Sequence, residues 1–421
     1  MNVRVAYGKK GVDVVLPDDA EVSIIEPRHV PGATDQRELV ARALEAPVGA
    51  APLRETVRAT DRIAIAFSDI TRPTPYDILL PPLLDQLSHV PDRNIVLFNA
   101  TGTHRENTEA ELRTILGDEI FSRFRVVQNR SDDDDSHRMI GTTDSGNRVS
   151  VLGEFLDCDV KIATGFIEPH FFAGMSGGGK AIVPGLASLG TIQRNHSAAH
   201  MDDPMVGWGV TEGNPLWEEL RDAALLADPS FILNVALNRD KEITAVFAGE
   251  FLEAHRVGCE YVRTHAMAGV ESEFDIVITS NSGYPLDLNM YQSVKGMSAA
   301  SQIVRPGGHI VIAAECWDGI PEHGQYGRLL GESESLEALL AKIRSPGFTA
   351  ADMWQAQIHA LICQKATVHF YSENLTDDQV RSGFMHPVSD IGDTVRALIA
   401  TGSGTRIAVL PEGPTTIPFL T

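Results

Sequence analysis

The sequence has few cysteines, no paired cysteine motif and no long apolar run. Its four cysteines, Cys158, Cys259, Cys316 and Cys363, lie far apart and form no Cys-X-X-Cys pair. This spacing argues against a disulfide framework or a cysteine zinc site, and it is typical of a reducing compartment. No segment approaches the ~18 apolar residues that a membrane-spanning helix needs, and the first residues contain no apolar leader stretch. We therefore expect a cytoplasmic protein with no membrane partner.

Cationic side chains are also scarce. Lysine and arginine number 35 against 57 aspartates and glutamates, which gives a formal net charge of −22. Such a surface repels phosphate backbones and anionic membranes, so nucleic acid is excluded as the main partner. A small anionic substrate stays possible, because a few cations inside a cleft can outweigh distant surface charges. With 421 residues, of which 43% are hydrophobic, the chain can form two domains with full cores.

Short β-branched runs alternate with amphipathic stretches in two successive series along the chain. Strands are predicted at residues 62–67, 94–100, 159–166, 231–238 and 243–249, and again at 274–280, 309–314, 367–371 and 406–410, with a hairpin at 3–16 and a turn at 306–308. This alternation predicts an α/β protein of two domains, each a parallel-type sheet covered by helices. The first series ends within residues 266–273, which predicts an N-terminal domain at 1–268 and a C-terminal domain at 269–421.

Two loops that directly follow predicted strands carry charged or titratable side chains, and ligands bind at the carboxyl ends of strands in such sheets. The loop SDITRPTP holds Asp69 and Arg72. An arginine there can bind a carboxylate or a phosphate through two parallel hydrogen bonds, although a rigid connector with an Asp–Arg pair is the alternative. The loop ATGTHR carries His104 after a glycine turn, where it is either presented to a cleft or an ordinary surface residue.

The third such loop, GFIEPHFFAGMSGGGKAIVPG at residues 165–185, is the richest in unusual residues. Its glycines and Lys180 fit the opening of a phosphate-binding P-loop, but Ala181 stands where a magnesium-binding Ser or Thr is required. A nucleoside triphosphatase is therefore disfavoured. The glycine run at 177–179 still predicts a backbone that approaches an anion. Lys180 would then be the counter-ion of that anion or the attachment point of a cofactor.

Three histidines lie in or just after this segment. His170 precedes two phenylalanines, and an apolar neighbourhood favours the neutral imidazole that a general base needs; simple packing among aromatic residues is the alternative. His196 follows a predicted helix and is a possible metal ligand. His200 lies four residues later and could share a helix face with His196, but no third ligand stands at a regular spacing for a zinc site.

These segments, followed by YQSVKGMSAAS at residues 291–301, resemble in content and order the nickel-dependent lactate racemase family. The glycine–lysine segment with its upstream histidine is highly specific, and the resemblance extends from about residue 62 to the C-terminal helices. It implies a two-domain α/β protein with its active site in the interdomain cleft. The implied activity is racemisation or epimerisation of a 2-hydroxy acid, lactate or a larger relative, by hydride transfer. Hydride transfer avoids a carbanion beside a carboxylate, but it requires an electrophile that no side chain supplies.

The resemblance also implies a cofactor, partners and residue roles. The cofactor is the nickel-pincer nucleotide, pyridinium-3-thioamide-5-thiocarboxylic acid mononucleotide with nickel, and cofactor-biosynthesis proteins are its implied partners. Lys180 matches the lysine joined to this cofactor, His196 matches the fourth nickel ligand, and His104 and His170 match the acid–base pair. The remaining matches are Arg72, Gln292 and Lys295 for the substrate carboxylate, and Asp69, Gly177, Gly178, Gly179, Tyr291 and Trp354 for the lining of the cofactor and substrate cleft. Three glycines precede Lys180 where many relatives have two and a small residue.

Two other interpretations stay open from the sequence. The chain could be a phosphate-loop nucleotide-binding enzyme, although Ala181 argues against it. It could also be a non-enzymatic two-domain protein that closes on a small anion, which leaves His104, His170 and Lys180 without a role.

Overall fold

The computed structural model describes residues 1–18, 20–26, 29–321 and 324–421. It confirms the two-domain α/β fold. The N-terminal unit is His29–Thr264, and the C-terminal unit consists of Met1–Arg28 together with His265–Thr421. The predicted division placed residues 1–28 in the N-terminal domain. The structure differs there, because strand Glu21–Ile24 pairs in parallel with Arg406–Leu410 and so extends the sheet of the C-terminal unit.

The N-terminal unit is built on a six-stranded sheet. Its strands lie in the order Ile243–Gly249, Phe231–Leu237, Val160–Phe166, Ile63–Ser68, Ile95–Ala100 and Arg125–Gln128. All neighbours are parallel except the first two strands, which are antiparallel. Ile63, Ile65 and Phe67 pack into one core cluster, and Ala64 and Ala66 pack into another, because successive residues of a strand point to opposite faces. Both faces are thus buried, which explains the nearly continuous apolar runs.

Helices and short strands complete the N-terminal unit. The α-helices are Gln36–Glu45, Leu53–Thr56, Tyr76–Gln86, Glu109–Leu116, Asp118–Arg123, Gly153–Leu156, Leu189–Asn195, Ala198–Met201, Pro215–Leu225 and Phe251–Ala266, whose last two residues belong to the C-terminal unit. Antiparallel strand pairs form between His137–Thr142 and Arg148–Leu152 and between Pro169–His170 and Gly174–Met175. Single 3-10 turns lie at Asp92–Asn94, Asp134–Ser136 and Gly178–Ala181.

The C-terminal unit has a six-stranded sheet of its own, and every neighbouring pair in it is parallel. The strand order is His386–Val388, Thr367–Tyr371, Val304–Ala313, Phe274–Ser280, Arg406–Leu410 and Glu21–Ile24. Smaller pairs join Asn2–Val5 to Val12–Val15 and Met267–Val270 to Ile417–Leu420. The α-helices are Met290–Ser301, Tyr326–Gly331, Leu336–Ile343, Met353–Lys365, Asp377–Ser382 and Ile391–Ala400, and a 3-10 turn lies at Gly413–Thr415.

The turn predicted at residues 306–308 is not a boundary between elements. Pro306 and Gly307 lie inside strand Val304–Ala313, and the pairing register with the neighbouring strand shifts between Phe274 and Ile276. An irregularity inside a strand can accommodate a proline and a glycine that a regular ladder would not. No helix among the described residues has the length and apolar character that a membrane crossing requires.

Candidate active site

Three of the loops singled out from the sequence meet at one edge of the N-terminal sheet. They follow strands Val160–Phe166, Ile63–Ser68 and Ile95–Ala100, which are parallel neighbours. Parallel strands end at the same edge, so their loops are brought together there. The backbone N–H of Gly102 donates to the carbonyl of Gly185 at 3.0 Å, which ties the His104 loop to the segment that carries Lys180.

Asp69 and His104 form a hydrogen-bonded pair. Nδ1 of His104 lies 2.5 Å from Oδ2 of Asp69, and Asp69 is only 4% exposed. Its other oxygen accepts from the backbone and the hydroxyl of Thr71 at 3.1 and 2.6 Å. Burial raises the pKa of Asp69, but the hydrogen bond and charge of His104 outweigh it, so the pKa lies below its usual value. Asp69 is therefore a carboxylate that accepts the Nδ1 proton and leaves Nε2 as the basic nitrogen of the neutral ring.

The same turn positions Arg72. Its backbone N–H donates to the carbonyl of Asp69 at 3.1 Å, and its charge helps to lower the pKa of the Asp69 carboxyl. Both carboxylate oxygens of Asp69, however, are hydrogen-bonded to His104 and Thr71. Among the described residues the Arg72 side chain acts on the Asp69 carboxyl through its charge, and the hydrogen-bonded Asp–Arg pair considered as an alternative is not formed.

The ring of Phe172 lies among three of the predicted site residues. It makes edge-to-face contacts with His170 and His196, at centroid distances of 4.5 and 5.0 Å. The Nζ atom of Lys180 lies 5.8 Å from the same ring centroid. Phe171 also stacks on His170 at 5.0 Å. The fold thus brings the predicted base, metal ligand and cofactor lysine around one aromatic side chain.

His170 has the opposite proton arrangement from His104. It lies in the tight hairpin formed by Pro169–His170 and Gly174–Met175. Its Nδ1 accepts from the backbone N–H of Ala173 at 3.2 Å. An accepting Nδ1 places the proton of the neutral ring on Nε2. A neutral His170 therefore donates a hydrogen bond through Nε2, whereas a neutral His104 accepts one through Nε2.

His196 has the features of a metal-binding imidazole. It caps the C-terminus of helix Leu189–Asn195, and its Nδ1 donates to the carbonyl of Ile192 at 3.1 Å. Burial lowers its pKa to about 3, and the charge of Lys180 adds to this effect. A neutral ring that donates from Nδ1 to a carbonyl carries its lone pair on Nε2, as metal-ligating histidines commonly do. His196 is therefore the kind of imidazole that a metal ion binds through Nε2.

His200 is engaged elsewhere. Its Nδ1 donates to the carbonyl of Asn195 at 2.7 Å, and its Nε2 lies 3.5 Å from a carboxylate oxygen of the buried Glu219. Glu219 also accepts a hydrogen bond from Asn147 at 2.7 Å. Both ring nitrogens of His200 therefore have partners other than a metal shared with His196. Among the described residues, no three His, Cys, Asp or Glu side chains surround a point where a metal ion could bind.

Packing explains two of the glycines before Lys180. Gly177 and Gly178 have φ values of +77° and +49°. A Cβ atom on Gly177 would lie 2.7 Å from Oδ1 of Asn234, and one on Gly178 would lie 2.7 Å from the ring of His255. Sequence reasoning missed both of these neighbours. A signal for Asn234 was present, since it interrupts an otherwise apolar strand, FILNVALN.

The other predicted site residues lie in the C-terminal unit, on two adjoining helices. Tyr291, Gln292 and Lys295 share one side of helix Met290–Ser301, because residues three and four apart are neighbours on a helix. Trp354 is buried in the first turn of helix Met353–Lys365. The Gln355 side chain ties the helices together by donating to the carbonyl of Tyr291 at 2.6 Å.

The hydroxyl of Tyr291 is held close to this helix junction. It donates to Oδ1 of Asp352 at 3.4 Å. Burial and the nearby charge of Asp352 raise the pKa of Tyr291 above its ordinary value. Tyr291 is therefore a protonated hydrogen-bonding group at any pH near neutrality.

Comparisons with known proteins agree along the whole chain. The family profile described as the lactate racemase N-terminal domain matches residues 7–209, and the profile described as the C-terminal domain matches residues 270–417. A lactate racemase from Thermoanaerobacterium thermosaccharolyticum is 37% identical over 424 residues, 99% of each chain. A lactate racemase from Lactiplantibacillus plantarum is 37% identical over 382 residues, 90% of each chain.

Solved structures give the same result. The lactate racemase apoprotein from Thermoanaerobacterium thermosaccharolyticum superposes with a TM-score of 0.92 at 36% identity, covering 99% of this chain and 100% of that one. A Thermotoga maritima protein superposes with a TM-score of 0.68 at 17% identity, covering 93% and 100%. The second likeness concerns the fold alone.

Proposed function

The chain belongs to the lactate racemase family and is an isomerase, and on that premise we propose that it racemises lactate or a larger 2-hydroxy acid with a nickel-pincer nucleotide. The observation that carries this proposal is that two histidines in the N-terminal unit have opposite hydrogen-bonding roles. His104 is an acceptor fixed by Asp69 at 2.5 Å, and His170 is a donor fixed by the backbone N–H of Ala173 at 3.2 Å. A racemase needs a base that takes the hydroxyl proton and returns it, and a donor that holds the same oxygen by a hydrogen bond.

Lys180 and His196 are the residues that would hold the cofactor. The primary amine of Lys180 can form a thioamide with it, and the neutral Nε2 of His196 suits nickel. The other nickel donors would come from the cofactor, since the described residues offer no cluster of three metal-binding side chains. When bound, the nickel-pincer nucleotide supplies the electrophilic carbon that accepts and returns hydride, which no side chain can do.

Cationic and amide side chains would hold the substrate carboxylate. Arg72 lies half-buried in the Asp69 turn, and guanidinium binds carboxylate through two parallel hydrogen bonds. Gln292 and Lys295, on one side of helix Met290–Ser301, would add a donor and a second charge from the C-terminal unit. A carboxylate held at one end leaves the reacting carbon free to present either face.

The proton steps belong to His104 and His170. His104 takes the hydroxyl proton at Nε2, and the buried Asp69 carboxylate stabilises the resulting imidazolium and keeps the ring in its orientation. His170 begins with a proton on Nε2 and donates a hydrogen bond to substrate oxygen. General acid–base assistance of this kind contributes roughly 10²–10⁴-fold to a rate.

The test uses protein co-produced with cofactor-biosynthesis proteins. Pure L-lactate is incubated with the purified protein, and the enantiomers are separated by chiral chromatography, while nickel and intact mass are measured on the same sample. We expect nickel, a mass above that of the chain and conversion toward equal amounts of the two enantiomers. A protein that carries nickel and the added mass but leaves lactate and larger 2-hydroxy acids unchanged would contradict the proposal.

A further inference from the structure

We propose that Asn234 and His255 are positioning residues that hold the lysine loop, residues 176–181, in its cofactor-receiving form before any cofactor is present. The inference rests on the proposed function, because it takes Lys180 as the residue that receives the cofactor. Neither side chain needs to touch the cofactor for this role. Each acts through the backbone of the lysine loop.

Two hydrogen bonds connect these side chains to the lysine loop. Nε2 of His255 donates to the carbonyl of Ser176 at 2.9 Å. Oδ1 of Asn234 accepts from the backbone N–H of Gly178 at 2.8 Å. Within the loop, the N–H of Lys180 donates to the carbonyl of Gly177 at 3.1 Å. The two outside contacts therefore hold the start of the turn whose continuation carries Lys180.

Shape reinforces these bonds. The ring of His255 lies so close to Gly178 that a Cβ atom there would be 2.7 Å from it. The ring is also nearly parallel to the indole of Trp217, at an angle of 12° and a centroid distance of 6.2 Å. The guanidinium of Arg221 lies 5.4 Å from the Trp217 ring. The His255 ring, which itself lies beside Trp217, thus forms a surface against which the lysine loop packs.

Both positioning residues stand on regular elements. Asn234 lies in the middle of strand Phe231–Leu237, and His255 lies in helix Phe251–Ala266. Sites held by strands and helices are more precise than sites held by loops alone. Burial lowers the pKa of His255, so the ring stays neutral and keeps its single proton on the nitrogen that faces Ser176.

The lysine loop needs such support because of its composition. Glycine loses more conformational freedom on ordering than any other residue, and Gly177 and Gly178 both adopt positive φ. Without outside contacts, a ligand would have to order this turn as it binds, which lowers affinity. Contacts that already exist in the chain alone remove that cost. Lys180 is therefore presented in place before the cofactor arrives.

The test compares matched variants of the full chain. His255→Ala and Asn234→Ala each remove one contact, and His255→Gln restores a donor at the same reach. His89→Ala is the control, because Nε2 of His89 donates to the carbonyl of Val57 at 2.8 Å, the same type of bond away from the lysine loop. Hydrogen exchange is followed in peptides covering 176–181 of the cofactor-free protein. The fraction with added mass is then measured after co-production with cofactor-biosynthesis proteins.

We expect both alanine variants to speed exchange of the lysine loop by about fivefold or more, the factor that one lost hydrogen bond produces, and to lower the loaded fraction. His255→Gln should return both readouts toward the parent, and His89→Ala should change neither. Unchanged exchange and loading in both alanine variants would overturn the inference.

Two further outcomes keep the inference separate from the proposed function. If His255→Ala does not fold, Asn234→Ala and His255→Gln decide by the same readouts. If the parent protein never acquires added mass, the proposed function fails, whereas the exchange measurement on the cofactor-free chain still tests whether Asn234 and His255 hold the loop.

Discussion

Oδ2 of Asp69 lies 2.5 Å from Nδ1 of His104, so a buried carboxylate is joined to a solvent-accessible imidazole. Asp69 is 4% exposed, whereas the side chain of His104 is 48% exposed. A buried carboxylate that orients a more accessible imidazole is the arrangement that fixes the tautomer of a catalytic base. By accepting a hydrogen bond from Nδ1, the buried Asp69 leaves Nε2 of His104 as the nitrogen that can accept a proton.

Replacing Asp69 by asparagine tests this control. The Asp69→Asn variant keeps the shape of the side chain, but its amide no longer supplies the charge that stabilises the imidazolium. We expect kcat of the loaded enzyme to fall by about 10²-fold or more, with nickel content unchanged. Thr71→Val is the control, since it removes only the hydroxyl that donates to Asp69 at 2.6 Å, and its effect should be far smaller. An Asp69→Asn enzyme with the parent kcat would refute the role.

Nickel retention distinguishes the two neighbouring histidines. His196 is neutral and donates from Nδ1 to Ile192, whereas His200 is engaged by Asn195 and Glu219. We expect loaded His196→Ala to lose nickel rapidly on dialysis against a chelator, and His200→Gln to retain it. Metal analysis at successive times gives the two rates. Equal retention in both variants would show that His196 is not the nickel ligand.

Single-turnover experiments separate His104 from His170. Each alanine variant should damage racemisation in both directions, because every complete turnover uses both histidines. Formation of the 2-keto acid, however, needs only the histidine that removes the hydroxyl proton. Rapid mixing of each loaded variant with one enantiomer, followed by acid quench, should give keto acid with His170→Ala, which keeps the accepting His104, and little or none with His104→Ala. Equal amounts of keto acid from both variants would rule out these different roles.

Stability should depend on pH through the buried His359. Its Nδ1 accepts from Tyr326 at 2.8 Å and its Nε2 donates to Gly383 at 2.7 Å, and burial lowers its pKa to about 4. Below pH 6.5 the imidazole of His359 binds a proton in the unfolded chain but stays neutral in the folded one. The free energy of unfolding therefore falls as the pH drops. The loss from this one group reaches about 2 kcal/mol at pH 5.

His359→Gln removes that proton-linked term. The variant should be less stable at pH 7, because it loses a buried contact, yet its melting temperature should decline less between pH 7 and pH 5 than that of the parent. Thermal scans of the cofactor-free proteins at both pH values measure this. Parallel declines in the two proteins would show that His359 does not contribute to the acid sensitivity.

Local patterns were sufficient to predict most strands and the edge where the site assembles. Strand Ile63–Ser68 is apolar throughout because both faces are buried, and the loops after it and after its neighbours meet as expected. Long-range pairings were not predictable. Strand Glu21–Ile24 pairs with Arg406–Leu410 across the whole chain, and nothing in either segment specifies its partner.

At the candidate site, too, the sequence identified residues but not their contacts. Asp69 and His104 were each found as residues at strand ends, but their contact depends on how two loops fold over one sheet edge. The glycines before Lys180 suggested an anion, whereas their tight packing against Asn234 and His255 gives them a structural reason as well. Side-chain identity predicted which residues matter, and only the three-dimensional structure could assign their partners.

The fate of the hydrogen at C2 shows whether racemisation proceeds by hydride transfer or by proton exchange with solvent. Loaded enzyme is incubated with pure L-lactate in D₂O, and the product is analysed together for chirality and for deuterium at C2. We predict that D-lactate forms with its original hydrogen at C2, because hydride leaves and returns without exchanging with solvent. Deuterium entering C2 at the rate of racemisation would contradict it.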